Sequence, residues 1–541
     1  MAWKQKTARV AVALFFAVLL AIGLATCADY GLPCDEPAEQ VILQENMHEY
    51  ACRLLGTDSR AAQWYQSRGI DRISNSVEKD HGQSAYYAFM PLLARFANRP
   101  HMLTVLWKAY TWLLFMLGCG AIYGFCRQTG LGRFVSCIGT LLLYLCPRFF
   151  AEGHYNNKDM VLLSLVLCTL YLGIRFLKEP GFGRGALFSL AGALAANTKI
   201  AGVLGWGLMG LAAIVLVTAS RRWSRRMAGV AAATIALFVA FYALLTPASW
   251  TDPAGYLGYL LANASGFTRW TGVVVFRGMV FDHAVNPLPR YYLIWMMLAT
   301  LPLYVAPLAA MGQLNVIRQV CRQRVQALRD PVSLSYAAAT LCWLVPLAAA
   351  VVMRPLVYNG WRHFYFVYAG IVLLAARGVQ SCLDVLKRHG GDCGMPVVFL
   401  AGLLLFFGWT AKDMAANHPY QYGYYNLLAN RNAETEMELD YWDVSTKNAM
   451  EALLTVKRNE KLPLVLGGSD PMSWFGVSHA YEVMTPDQQA LLTITPEEDP
   501  PYLFVNTTYA LIYGIPQPEG YRKLLTIESY GNTLCAVYEK R

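Results

Sequence analysis

Apolar residues in this chain fall into long unbroken blocks, not into the alternation of strands or the spaced stripes of soluble helices. The blocks cover residues 8–27, 103–126, 134–150, 160–177, 185–198, 201–218, 227–246, 291–315, 333–353, 364–380 and 395–411. Most approach the roughly 20 apolar residues a helix needs to cross a bilayer. The pattern therefore predicts a polytopic α-helical membrane protein with about eleven transmembrane helices. Blocks 185–198 and 201–218 meet at Asn197-Thr198-Lys199, a join that fits two full spans or one re-entrant hairpin. The first block has the basic start and apolar middle of a signal peptide. Its apolar run is long for that role, so it reads as an uncleaved first helix.

Three segments between or after the blocks are long enough to carry function. Residues 28–102 mix apolar and basic positions at helical spacing in ACRLLGTDSRAAQWYQSRGI and SAYYAFMPLLARFA, as interfacial helices do. Residues 247–290 run from PASW to the start of PLPRYY. Residues 412–541 turn polar and hold strand-like runs, LPLVLGG, PYLFVNTTYALIYG and TLCAVYEK, around a helical STKNAMEALLTVKR. This tail is expected to be a small α/β domain following a membrane module at 1–411. The aromatic run HPYQYGYYN (418–426) fits interfacial anchoring, or a lid over a cavity mouth.

Composition supports this picture. Of the 541 residues, 56% are hydrophobic and only 15% charged, with a mean hydropathy of +0.33; a soluble chain carries roughly a quarter charged residues. The formal charge of +10 would suit nucleic acid, but its distribution points elsewhere. With the N-terminus in the cytoplasm, residues 1–9 and loops 127–133, 175–184, 219–226, 316–330 and 377–392 are cytoplasmic. They hold 19 Lys and Arg against four acids, Glu179, Asp330, Asp384 and Asp392. That is the positive-inside pattern: the charge orients the chain and implies no nucleic acid. It places the 412–541 tail outside the cytoplasm, where a Cys34–Cys52 disulfide would be permitted. Short connections favour a bacterial cytoplasmic membrane.

The chemically able residues all fall on the outer side. Asp35 and Glu36 follow the first span. FFAEGHYNNKDM (149–160) supplies Glu152, His154, Asn156, Asn157, Lys158 and Asp159. Asn197, Lys199, Asp282, His283 and Arg290 come next, then Arg354, Tyr358, Asn359, Trp361, Arg362 and His363 from VMRPLVYNGWRHFYF. Asp35, Glu36 and Asp159 suit a general base or an oxygen-ligand metal site. Lys158, Lys199, Arg290, Arg354, Arg362 and His363 suit a phosphate. A carboxylate facing cations at a bilayer surface points to a lipid-phosphate donor and a hydroxyl acceptor. The bland readings are an N-cap for Asp35–Glu36 and for Asp159, and snorkelling for Arg362 and His363.

DE after the first helix, YNNKD, the NTK step, PLPRYY and YNGWRHFYF, in that order, resemble a GT-C membrane glycosyltransferase. The nearest branch is glycosyltransferase family 39, with the protein O-mannosyltransferases and lipid A aminoarabinose transferases. The resemblance covers roughly residues 1–410. It implies a polyprenyl- or dolichyl-phosphate sugar donor and an inverting transfer to a hydroxyl or lipid-phosphate acceptor on a glycan, lipid or protein. It also implies Asp35 as catalytic base, Glu36 and Asp159 as partners in substrate or metal binding, and Arg362 and His363 on the donor phosphate. Lys199 and Arg290 would stand behind them, with Lys158 and His154 among the donor-binding residues. Pro37 directly after the acidic pair departs from the family pattern. Lys158 beside Asp159 opposes a divalent metal held by Asp35, Glu36 and Asp159, so metal use is left open. The competing reading is a transporter or flippase of a lipid-linked or anionic substrate. Such proteins place ionisable groups near the membrane midplane, often with repeat symmetry, and this chain displays neither pattern.

Overall fold

A computed structural model describes residues 2–265, 270, 272–389, 394–497 and 499–541; Asp392, one of the four acids counted above, lies outside them. Among the described residues, eight helices are long and apolar enough to cross a membrane: Lys6–Thr26, Pro100–Gln128, Asp159–Lys178, Ile200–Ala219, Arg225–Leu245, Pro331–Met353, Arg362–Arg388 and Gly394–Ala416. Two more reach that length only as bent pairs. Arg133–Tyr144 and Pro147–Tyr155 turn by 72°, and Tyr292–Thr300 and Val305–Arg329 by 112°. Each bend has a proline as its cause. Cys146 before Pro147 and Leu301 before Pro302 both leave the helical region, at ψ 110° and 147°, because a proline ring clashes with a helical predecessor.

The eleventh expected span is the helix Phe182–Thr198, 17 residues long. At 1.5 Å per residue it reaches about 25 Å, short of the ~30 Å hydrocarbon core. The expected eleven spans are thus eight straight ones, two bent ones and this short helix. The NTK join is a corner between two helices. Lys199 breaks out at φ −153°, ψ 141°. At the other end of the second helix Arg329 donates to the Ala219 carbonyl at 2.8 Å.

Asp159–Lys178 and Arg362–Arg388 form the centre of the bundle. Lys6–Thr26 and Arg225–Leu245 expose Val10, Leu14, Val18, Ile235 and Val239. Such rows are a liability in water and ordinary against lipid. Gly312 and Gly378 let two core helices meet backbone to backbone, each facing a carbonyl across the interface, as small residues do in membrane bundles.

The tail is the expected α/β domain. Its sheet runs in the order 492–494, 464–468, 502–506, 532–540, 521–529, the first three strands parallel and the last two antiparallel. Leu464, Leu466, Phe504 and Val537 pack against Met450 and Val477 of flanking helices. Run 418–426 is neither a lipid anchor nor a lid. Tyr420, Gln421, Tyr422 and Tyr425 are buried, and the Arg148 guanidinium lies 4.7 Å and 4.5 Å from the rings of Tyr422 and Tyr425. The expected Cys34–Cys52 disulfide is absent and both thiols are free. Cys34 precedes the helix Glu36–Leu55 and Cys52 lies in its last turn, so they lie roughly 25 Å apart, beyond any disulfide span.

The hairpin Val273–Phe276/Met279–Asp282 docks on the tail through a Phe276–Met437 bridge and a Val275 N–H to Glu438 bond of 3.1 Å. Burial pushes the Glu438 carboxyl up to about 7. The folded state thus holds this proton more tightly than the unfolded chain, and its contribution is lost as pH rises. Relative to Glu438→Gln, wild type is expected to lose up to roughly 3 kcal/mol between pH ~4.5 and ~7. Melting temperatures across that range check this; parallel curves would contradict it.

Candidate active site

The helix after the first span begins at Glu36, with Pro37 in its first turn. Proline's missing N–H costs nothing there, so the departure from the family pattern has a local explanation. Asp35 holds the N-cap position but makes no capping bond. Its Oδ2 instead accepts from Arg362 Nη1 at 3.3 Å, at the edge of a cavity of about 620 Å³. Asp35 is far more accessible than Glu39 and Asp159: its side chain is 43% exposed, against 2% for each of those two.

Glu36 also lines the cavity, on its buried side. It is buried 3.8 Å from Lys108 Nζ and accepts from Gln40 at 3.2 Å. Burial pushes its carboxyl up, against the pull of Lys108. Asp159 opens the central helix, where the Asn156 Oδ1 accepts from the Asp159 N–H at 2.8 Å. The Asp159 carboxylate is therefore free to take Lys199 at 2.6 Å. Lys158 turns away from Asp159 to an ion pair with Glu39 and stands 3.2 Å from His81 Nδ1. Burial alone would lower its ammonium, but Glu39 and Asp35 outweigh burial and hold it raised. Burial, with Lys158 beside it, lowers His81.

Asn359 and Gly360 at φ 54° and 69° reverse the chain, as an Asn-Gly pair readily does, and deliver Arg362 and His363 into the cavity. Arg362 does not snorkel. It is 6% exposed, with its guanidinium 4.8, 5.3 and 4.6 Å from the rings of Tyr358, Tyr441 and Trp442. His363 stands edge-on to Tyr358 at 4.6 Å.

The expected set thus converges in large part. Asp35, Glu36, Lys158, Asp159, Lys199, Arg362 and His363 line one cavity with Asn156, Asn157, His283, Arg354 and Tyr358. Of the nine residues the resemblance implied, two do not line it, and neither do Glu152, Asn197, Asp282, Asn359 and Trp361. His154 is fully buried between Tyr30 and Trp112, its nitrogens 2.9 Å and 3.1 Å from the carbonyls of Phe150 and Gly23. Arg290 caps the end of Pro331–Met353 through the carbonyls of Val351 and Val352 at 2.7 and 2.8 Å. His154 reaches the Gly23 carbonyl in the last turn of the first span and Arg290 the last carbonyls of Pro331–Met353, the ordinary duty of a polar residue at a helix end. Arg290→Ala is expected to leave turnover at the wild-type rate while Arg362→Ala does not, read in one kinetic assay.

Glu39, Asp80, His81 and Trp442 also line the cavity and were not singled out from the sequence. Glu39 had a signal, since it lies four residues after Asp35 and so on the same helix face. His81 and Trp442 arrive by tertiary placement alone.

The carboxylates expected to share a metal each face a cation of the chain: Asp35 with Arg362, Glu36 with Lys108, Asp159 with Lys199. Among the described residues they are not spaced to share an ion; Glu78, Asp80 and His81 are, but the Lys158 ammonium stands against His81. The Asp159–Lys199 pair is largely buried, and removing one partner of such a pair is strongly destabilising. Lys199→Ala should therefore lower stability by about 3 kcal/mol. Adding Asp159→Asn should restore most of the melting temperature; a double variant no better than the single would contradict this.

No family model matches the chain, and no curated protein matches it. Among solved structures it is similar to apo ArnT from Cupriavidus metallidurans, at 12% identity over 98% of both chains with a TM-score of 0.46. The same ArnT bound to undecaprenyl phosphate is similar at 11% identity over 97% of both chains, TM-score 0.46. The arabinofuranosyltransferase AftD from Mycobacteria is similar at 15% identity over 97% of this chain and 40% of that one, TM-score 0.41.

Proposed function

We propose that the chain is a GT-C type membrane glycosyltransferase taking a sugar from a polyprenyl-phosphate donor to a hydroxyl acceptor. One observation carries the reading: Asp35, its side chain 43% exposed, stands on a cavity that also presents Arg362, His363, Lys158 and Lys199. In this mechanism Asp35 takes the proton of the acceptor hydroxyl, and that oxygen attacks the anomeric carbon. The bond from that carbon to the phosphate oxygen breaks, and polyprenyl phosphate leaves. Arg362, Lys199 and His363 stabilise the charge that develops on the leaving phosphate, the task preorganised donors perform best. A single displacement inverts the anomeric configuration. Because the three acids face cations, no step is routed through a metal.

The basic far ends of the helices support a cytoplasmic N-terminus, with the cavity and the tail outside a bacterial cytoplasmic membrane. The experiment is to supply purified protein with a panel of polyprenyl-phosphate sugars and a hydroxyl acceptor, and to read the product's anomeric configuration by NMR. Inversion is expected; retention would contradict direct displacement.

A further inference from the structure

The crevice at the carboxyl ends of parallel strands is where open α/β sheets ordinarily take a ligand. In this tail domain the chain's own residues 439–446 are tied there. Asn506, at the end of its strand, donates to the Asp440 carbonyl at 3.0 Å and to the Asp443 carboxylate at 2.9 Å. Thr508 Oγ1 accepts the N–H groups of Leu439 and Asp440 at 2.9 and 2.8 Å. Asp443 sits at φ 59°, in a turn held by Thr446 and by bonds from Val444 and Ser445 to Asp440. This anchored turn presents Tyr441 and Trp442 to the membrane module.

There the two residues make two kinds of contact. By backbone, the Trp442 carbonyl accepts from Cys34 N–H at 3.0 Å, and the Tyr441 carbonyl lies 3.8 Å from Cys34 Sγ. By side chain, both rings stack on the Arg362 guanidinium. They thus grip the residue before Asp35 and the cation that partners Asp35.

We propose that Tyr441 and Trp442 are positioning residues that hold Asp35 and Arg362 in register, making the tail domain a working part of the active site. The kinetic arm of this inference rests on the glycosyltransferase reading; its chemical arm does not. Trp442→Phe keeps an aromatic face over Arg362, whereas Trp442→Leu fills space without one. In the full-length protein Trp442→Phe is expected to hold kcat within about 3-fold, while Trp442→Leu lowers it roughly 10- to 100-fold with donor KM little changed. Iodoacetamide alkylation of Cys34, followed by mass spectrometry on folded protein, should be faster in Trp442→Leu than in wild type or Trp442→Phe. Equal impairment of the two variants would reduce Trp442 to packing and overturn the proposal, as would two fully active variants. Should wild type turn over no donor, the glycosyltransferase reading fails. The alkylation arm then decides the clamp, and equal rates in all three proteins overturn it.

Discussion

Asp35→Asn is expected to lower kcat by roughly 10²- to 10⁴-fold, the range a positioned general base contributes, without loss of fold. The substitution keeps size and the ability to accept a hydrogen bond but cannot take a proton. Asp35 makes no capping bond, so helix Glu36–Leu55 does not depend on its charge. Its contact with Arg362 is a 3.3 Å bond at a side chain 43% open to solvent, where an ion pair adds little stability. The loss should therefore fall on kcat and not on melting temperature. Turnover of Asp35→Asn at the wild-type rate would move the base elsewhere in the cavity, where Asp80 is the other carboxylate that is not fully buried. Glu36 is buried against Lys108, while Glu39 and Asp159 are committed to Lys158 and Lys199.

Arg362→Ala is expected to lower kcat/KM for the donor by about 10²- to 10³-fold, the loss seen when one charge-stabilising donor is removed from an active site. Arg362→Lys should recover only a small part. An ammonium restores the charge but neither the planar stack within Tyr358, Tyr441 and Trp442 nor the fork that matches a phosphate. A full rescue by lysine would show that charge alone matters and that the aromatic cage is incidental. Donor titrations on the three proteins, with kcat and KM separated, decide between these outcomes.

Much of this arrangement was legible in the sequence, for identifiable reasons. A hydrocarbon core imposes a length on every spanning helix, so apolar blocks mark spans even without homologues. The bends were written as well, in Pro147 and Pro302, but a hydropathy count does not register what a proline does to the residue before it. Asp35, Lys158, Asp159, Lys199, Arg362 and His363 could be singled out because each is ionisable and sits at a span boundary, where charge calls for a use. The same criterion admitted His154 and Arg290, whose use is to satisfy carbonyls of neighbouring helices. What separates the two groups is direction, which is set by packing. Trp442 was not visible because its role depends on an anchored turn more than 400 residues from Asp35 in the chain. The sequence left metal use by the three acids open because it does not show the cation that each of them faces.

This cavity is expected to break the bond between a sugar and its lipid phosphate. The most direct measurement reconstitutes wild-type protein in liposomes holding a radiolabelled polyprenyl-phosphate sugar, with a hydroxyl acceptor supplied. Released polyprenyl phosphate and leaflet position are then followed together. The account predicts acceptor-dependent release of polyprenyl phosphate that disappears in Asp35→Asn. Sugar that stays on its lipid while that lipid changes leaflet would contradict it and identify a transporter.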